Sequence, residues 1–240
     1  MSERPKNFLL QQLSPTDYAD LRGHLSPVYL EKGATVFEQG QTVDRVLFPE
    51  TGLLSIITVM ASGSMTETSM VGRDSGAGFV EAVGSQVIFS RVIVQVPGVA
   101  WSVSAARYRE AFDGSATFRR AIHSNIELQL ALLRQNMACN SMHRADQRLA
   151  RWLLDCQELG GCGDELPLTQ EFLAAMLSVQ RTTVTLHAGK LEEQGLIQQK
   201  RGGVRILDRD GLERTSCECR ATAADLRRAI DPEALTLNDA

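Results

Sequence analysis

Two textures divide this chain. Between Thr35 and Val103, apolar residues come in short runs: Thr35–Phe37, Arg45–Phe48, Leu53–Met60, Val87–Phe89, Val92–Val96 and Val99–Val103. Glycines at 33, 40, 52, 63, 72, 76, 78, 84 and 98 separate them. Short β-rich runs at near-regular spacing predict an antiparallel sandwich or barrel. From Ser115 the period becomes helical. Ile122, Ile126, Leu130, Leu133 and Met137 follow one another at intervals of 4, 4, 3 and 4, which predicts an amphipathic helix over 115–139, about 37 Å long. A single apolar stripe of that length fits a seam with a second copy of the chain. The other reading packs the stripe on the chain's own barrel. A second helix carries Leu149, Trp152, Leu153, Cys156 and Leu159 on one face and stops at Gly160-Gly161.

The segment LTQEFLAAMLSVQRTTVTLHAGKLEEQGLI (168–197) has a third pattern. Thr169 caps a short helix with Glu171 in its first turn. Leu173 and Leu177 point inward, and Ala174 is small where a second helix must cross. Ser178 occupies the turn, and Val179, Val184 and Leu191 return to the core. Gly195 followed by Leu196 matches a Schellman stop. Two short helices joined by a tight turn describe a helix-turn-helix. The second helix projects Gln180, Arg181, Thr182, Thr183 and Thr185 from its N-terminal face, with donors suited to a DNA major groove. The hairpin LIQQKRGGVRIL (196–207) adds Lys200, Arg201 and Arg205 around Gly202-Gly203, a wing suited to backbone phosphates.

Composition refines this picture. The 240 residues are 43% hydrophobic and 22% charged, an ordinary globular balance, with no apolar run of ~18 residues and no signal-like N-terminal stretch. Net charge is −4, so DNA binding must rest on local charge, which the wing supplies. Five cysteines, an odd number, argue against a disulfide framework. A cytoplasmic setting without a membrane partner is expected.

With these residues in view, the chain resembles the CRP/FNR superfamily of transcription regulators over about 15–210. VFEQGQTVDRVLFPETGLLSIITVMASG (36–63) is similar to the opening strands of that family's cyclic-nucleotide-binding-like β-roll, and Gly33, Gly40 and Gly52 match its turns. The 115–139 helix resembles the dimerisation helix, and SVQRTTV resembles the start of the recognition helix. The resemblance implies an α+β fold: an antiparallel β-roll (1–112), a long dimerisation helix (113–140) and a winged helix-turn-helix (141–215), followed by a tail (216–240). It implies double-stranded DNA, a second copy of the chain and RNA polymerase as partners, with Thr169, Gln180, Arg181, Thr182, Thr183, Thr185, Lys200, Arg201 and Arg205 at the DNA. Ile122, Ile126, Leu130, Leu133 and Met137 would form the dimer seam. Arg181 falls on the guanine-reading arginine.

Three positions depart from the family. Thr182 stands where many members carry a cytosine-reading glutamate. His187 replaces an inward aliphatic residue and is expected to be partly buried and hydrogen-bonded. Ser178 replaces a turn glycine, which is tolerable outside a left-handed conformation.

The sensor half departs further. Cyclic nucleotide binders of the family use a Gly-Glu pair and an Arg-Ser/Thr-Ala segment. Here Glu81 lacks the preceding glycine, and Ser90-Arg91 runs in reverse order before Val92. Glu81, Ser90 and Arg91 remain candidates for an effector pocket, but no cyclic AMP dependence is expected. No cysteine precedes Cys139, so an iron–sulfur ligand set is not expected, and the cofactor stays unknown. Cys217-Glu-Cys219 is a lone C-x-C near a chain end read as frayed, and it assigns no metal. A regulator responding to a small molecule or to redox state is the second reading. A cupin-like enzyme is the third, but H-x-H is missing and His24 is the one histidine of the β region.

Overall fold

A computed structural model describes residues 4–230. Helices α1 (Phe8–Gln11) and α2 (Pro15–Arg22) precede strands β1 (Ser26–Leu30), β2 (Thr35–Phe37), β3 (Arg45–Pro49), β4 (Leu53–Val59) and β5 (Met65–Val71). Helix α3 (Phe79–Val83) leads to β6 (Arg91–Val96) and β7 (Gly98–Ser104). Two antiparallel sheets result, ordered β1-β7-β3 and β2-β6-β4-β5. Their inner faces enclose Phe37, Val46, Phe48, Leu54, Val92 and Val103. The expected roll is present, with one difference. Val87–Phe89 is not a strand: Val87 makes a single bridge to Thr42, and Phe89 is 68% exposed.

Helix α4 (Ala105–Gly114) closes the roll through Tyr108, which is fully buried. The long helix α5 (Ala116–Met142) then runs 27 residues, capped by Ser115, whose hydroxyl accepts from the Phe118 N–H. The second unit follows as α6 (Ala145–Gly160), β8 (Glu165–Leu166), α7 (Gln170–Leu177), α8 (Arg181–Glu193), β9 (Ile197–Lys200), β10 (Gly203–Ile206) and α9 (Arg209–Thr215). Its sheet is ordered β8-β10-β9. Its core gathers Leu149, Leu153, Leu173, Leu177, Val184, Leu191 and Val204. Leu53 and Val96 of the roll join that same core, so the two units share apolar contact.

The joint is made by backbone. Gly52 donates to the Gly160 carbonyl at 2.8 Å. A Cβ added at Gly72 would meet the Leu159 carbonyl at 2.6 Å, so only glycine lets the roll come this close to α6.

Beyond about residue 215 the sequence leaves helix and tail both open, although the segment near Cys217 looks frayed. Residues 219–230 form α10 (Cys219–Ile230), which packs on α5. Arg220 reaches Asp155 at 3.0 Å, Glu158 at 2.8 Å and Glu213 at 3.0 Å, and Arg227 reaches Asp74 at 3.3 Å. Residues 231–240 lie outside the described residues.

Candidate nucleic-acid interface

Helices α7 and α8 pack at the turn 178–180. Thr169 caps α7, its hydroxyl accepting from the Phe172 N–H at 3.2 Å. Ser178 does adopt the left-handed conformation, at φ +52, against expectation. Its N–H caps α7 on the Ala174 and Ala175 carbonyls, and its hydroxyl bonds Thr66 of β5. At the far end of α8, Leu196 donates to the Leu191 carbonyl at 2.9 Å and Gly195 to Glu192 at 2.8 Å. That pair of bonds is the expected Schellman stop.

The predicted reading residues separate into two groups. Gln180, Arg181 and Thr182 stand exposed at the N-terminus of α8. Among the described residues, the Arg181 side chain has no hydrogen-bond or ion-pair partner. Thr183 is half-buried. Thr185 is engaged within the unit: its hydroxyl lies 2.8 Å from Gln170 Oε1 and 3.0 Å from the Arg181 carbonyl. Gln170 donates in turn to Gln199 at 2.7 Å, and Gln199 to Glu192 at 2.8 Å. This relay ties both helices to the wing. The sequence reading did not find it, because polar residues scattered over three elements leave no spacing signal.

The wing separates in the same way. Lys200 and Arg205 both lie on Glu165 of β8, at 2.7 and 3.4 Å. Arg201, at the exposed turn, has no such partner among the described residues. Thr169, Arg181 and Lys200 line one cleft of about 210 Å3 between α8 and the wing. His187 is half-buried, but its Nδ1 has no hydrogen-bond partner, which corrects the expectation.

The seam candidates also separate. Ile122 is 1% exposed inside the roll core, and Ile126 packs against that core. Both are therefore committed within the chain, contrary to a seam running the whole helix. Leu133 is half-buried, whereas Leu130 is 45% and Met137 72% exposed.

Inside the roll lies a cavity of about 250 Å3, lined by Ile56, Thr68, Ser69, Glu81, Ser90, Val92 and, from α5, Gln129 and Leu133, among others. Burial raises the Glu81 pKa above its ordinary value. Gln129 Nε2 is buried without a partner. Arg91 is absent from this lining and pairs outside with Glu38 at 2.9 Å. The expectation that Glu81, Ser90 and Arg91 converge is thus corrected for Arg91, whose strand directs it away.

Residues 147–215 match the family model of the Crp-like helix-turn-helix domain. Over that stretch, which runs from α6 to α9, the chain is similar to Crp-like helix-turn-helix domains. Solved structures show the same fold over most of the chain. FixK2 from Bradyrhizobium japonicum superposes with a TM-score of 0.68 at 13% identity, covering 80% of this chain and 98% of that one. TTHA1359, a CRP/FNR family transcriptional regulator from Thermus thermophilus, gives 0.65 at 20% identity, covering 80% and 98%. CLP, the c-di-GMP responsive global regulator of Xanthomonas campestris, gives 0.64 at 16% identity, covering 80% and 99%. Identities this low carry the fold. None of the curated proteins matches the chain by sequence.

The second unit is therefore similar to a Crp-like helix-turn-helix domain, and this favours the regulator reading over the cupin-like enzyme. No helix among the described residues is long and apolar enough to cross a membrane.

Proposed function

We propose that the chain is a transcription regulator of the CRP/FNR type that acts as a homodimer on a pseudo-palindromic operator, without dependence on cyclic AMP. The observation that carries the reading is the unpartnered, exposed Arg181 at the start of α8, together with the exposed Arg201 at the turn of the wing. A bidentate arginine suits a guanine edge, and a wing arginine suits phosphate. Thr182 carries no charge and cannot accept from cytosine as a glutamate would, so the half-site differs from the one such family members read. Two copies joined along the open half of α5, through Leu130, Leu133 and Met137, would set half-sites about 34 Å apart. The expected partners are double-stranded DNA, a second copy and RNA polymerase, in the cytoplasm.

Cyclic AMP independence is supported by the cavity. None of the described residues lining it is lysine or arginine, and a buried cyclic phosphate needs a cation. The second reading, a regulator with a small ligand in the roll, is favoured by the unpartnered Gln129 amide at this apolar cavity. The ligand would be uncharged.

Selection of genomic fragments by the purified chain tests DNA binding and yields the operator. Arg181→Ala should then lose about 1–3 kcal/mol of discrimination between cognate and scrambled duplexes. An unchanged ratio would remove Arg181 from base reading.

A further inference from the structure

Away from the reading face, three thiols and an imidazole converge. Cys139 and His143 lie four residues apart at the C-terminal end of α5, on one helix face. Cys217 arrives from the link between α9 and α10, and Cys219 opens α10. The four ligand atoms all lie within 4.8 Å of one another. Cys139 Sγ is 3.5 Å from Cys217 Sγ, and Cys219 Sγ is 3.4 Å from His143 Nδ1. A tetrahedral ion with Zn–S of about 2.3 Å and Zn–N of about 2.0–2.1 Å holds neighbouring ligand atoms roughly 3.5–3.8 Å apart. A disulfide would need about 2.05 Å.

The surroundings point the same way. The three cysteines are buried as a packing cluster of their own, apart from the two main cores. His143 Nε2 lies 3.0 Å from a carboxylate oxygen of Glu218. If Nε2 carries the proton, Nδ1 keeps its lone pair turned toward the thiols, as a metal-binding histidine oriented by a carboxylate requires. Gln135 Nε2 donates to Cys219 Sγ at 3.0 Å, a bond that favours a sulfur carrying negative charge.

We propose that Cys139, His143, Cys217 and Cys219 hold a single zinc ion. Three thiolates and one imidazole select a borderline-soft tetrahedral cation over magnesium or calcium. Ligand atoms this close enclose one ion rather than a cluster with bridging sulfides. On binding, three thiol protons pass to solvent, and the site keeps one net negative charge. Arg148 and Arg151, both buried, act electrostatically on this group. The ion would staple α10 to the end of α5, at the point where the chain turns into α6. This site is independent of the operator reading.

Full-length protein, purified with reductant and without chelator, should carry about one zinc per chain by elemental analysis. Cys139→Ser and Cys217→Ser should lose it. Glu218→Gln, an exposed change that leaves the ligands in place, should keep one zinc but bind it about 10–100-fold more weakly against a chromophoric chelator. Cobalt in place of zinc should give the intense visible bands of a tetrahedral thiolate site. Removing zinc from the wild-type chain should expose the α9–α10 link to protease, and returning it should restore protection, a readout that needs no variant. A metal-free wild-type chain that takes up no zinc, a Cys139–Cys217 disulfide in its place, or a cluster releasing acid-labile sulfide would each overturn the assignment.

Discussion

The two halves of α5 are built for different neighbours. In the first, Phe118 and Ile122 are buried in the core of the roll, and Asn125 is fixed at 2.6 Å from the Ser75 hydroxyl. In the second, Leu130, Met137 and Met142 stand exposed, while Cys139 turns to the other side, under α10. One hydrophobic period serves both, because a helix repeats its faces whatever lies beside them. Periodicity reports that a face is apolar and is silent about what covers it.

Substitutions can break this division. Ile122→Ala should produce the largest loss, about 2–5 kcal/mol of stability in thermal or denaturant unfolding, since it empties a filled site. Leu130→Asp should leave the fold intact and shift sedimentation toward monomers. Monomers from the first variant without lost stability, or unfolding from the second, would reverse the roles of the two halves.

The joint between the units gives a smaller and pH-dependent effect. Glu67 of β5 accepts from Trp152 Nε1 at 3.0 Å and from the Ser55 hydroxyl. Burial raises its pKa to about 7, against the opposing pull of those two bonds and of Arg151. The folded chain therefore holds this proton more tightly than the unfolded one. Stability should fall as pH rises from the ordinary 4.5 toward about 7 and then level off. Glu67→Gln should flatten that slope, as measured by melting temperature on either side of neutrality. A slope as steep in the variant would move the titration to another group.

The smallest expected effect concerns the wing. Glu165→Gln should release Lys200 and Arg205 and tighten DNA binding by up to about 5-fold, the scale of an exposed ion pair. Arg201→Ala should weaken cognate and scrambled binding alike and lower the salt slope by ~1. Equal responses from Arg201→Ala and Lys200→Ala would show that the Glu165 pairing does not hold Lys200 back.

Much of the fold was legible in residues. The runs over Thr35–Phe37, Arg45–Phe48, Leu53–Met60, Val92–Val96 and Val99–Val103 became β2, β3, β4, β6 and β7. Strand β5, MTETSMV, gave no signal, because its polar residues face α7 and the cavity rather than a dry core. Helix α10 was missed because its apolar face is built largely of alanine rather than large aliphatic side chains, and ion pairs do much to hold it. For the candidate DNA face, the spacing pointed to Arg181 and the wing, but nothing local linked Lys200 to Glu165, 35 residues away. The cysteine group was half visible: C-x3-H ends a helix and C-x-C follows much later, and only folding brings them together.

Strand β5 is a party wall. Thr66 and Glu67 touch the reading unit, while the adjoining Thr68 and Ser69 border the hollow of the roll. A guest that nudged this partition by even a fraction of an ångström would tilt the tenant next door, with no messenger travelling between them.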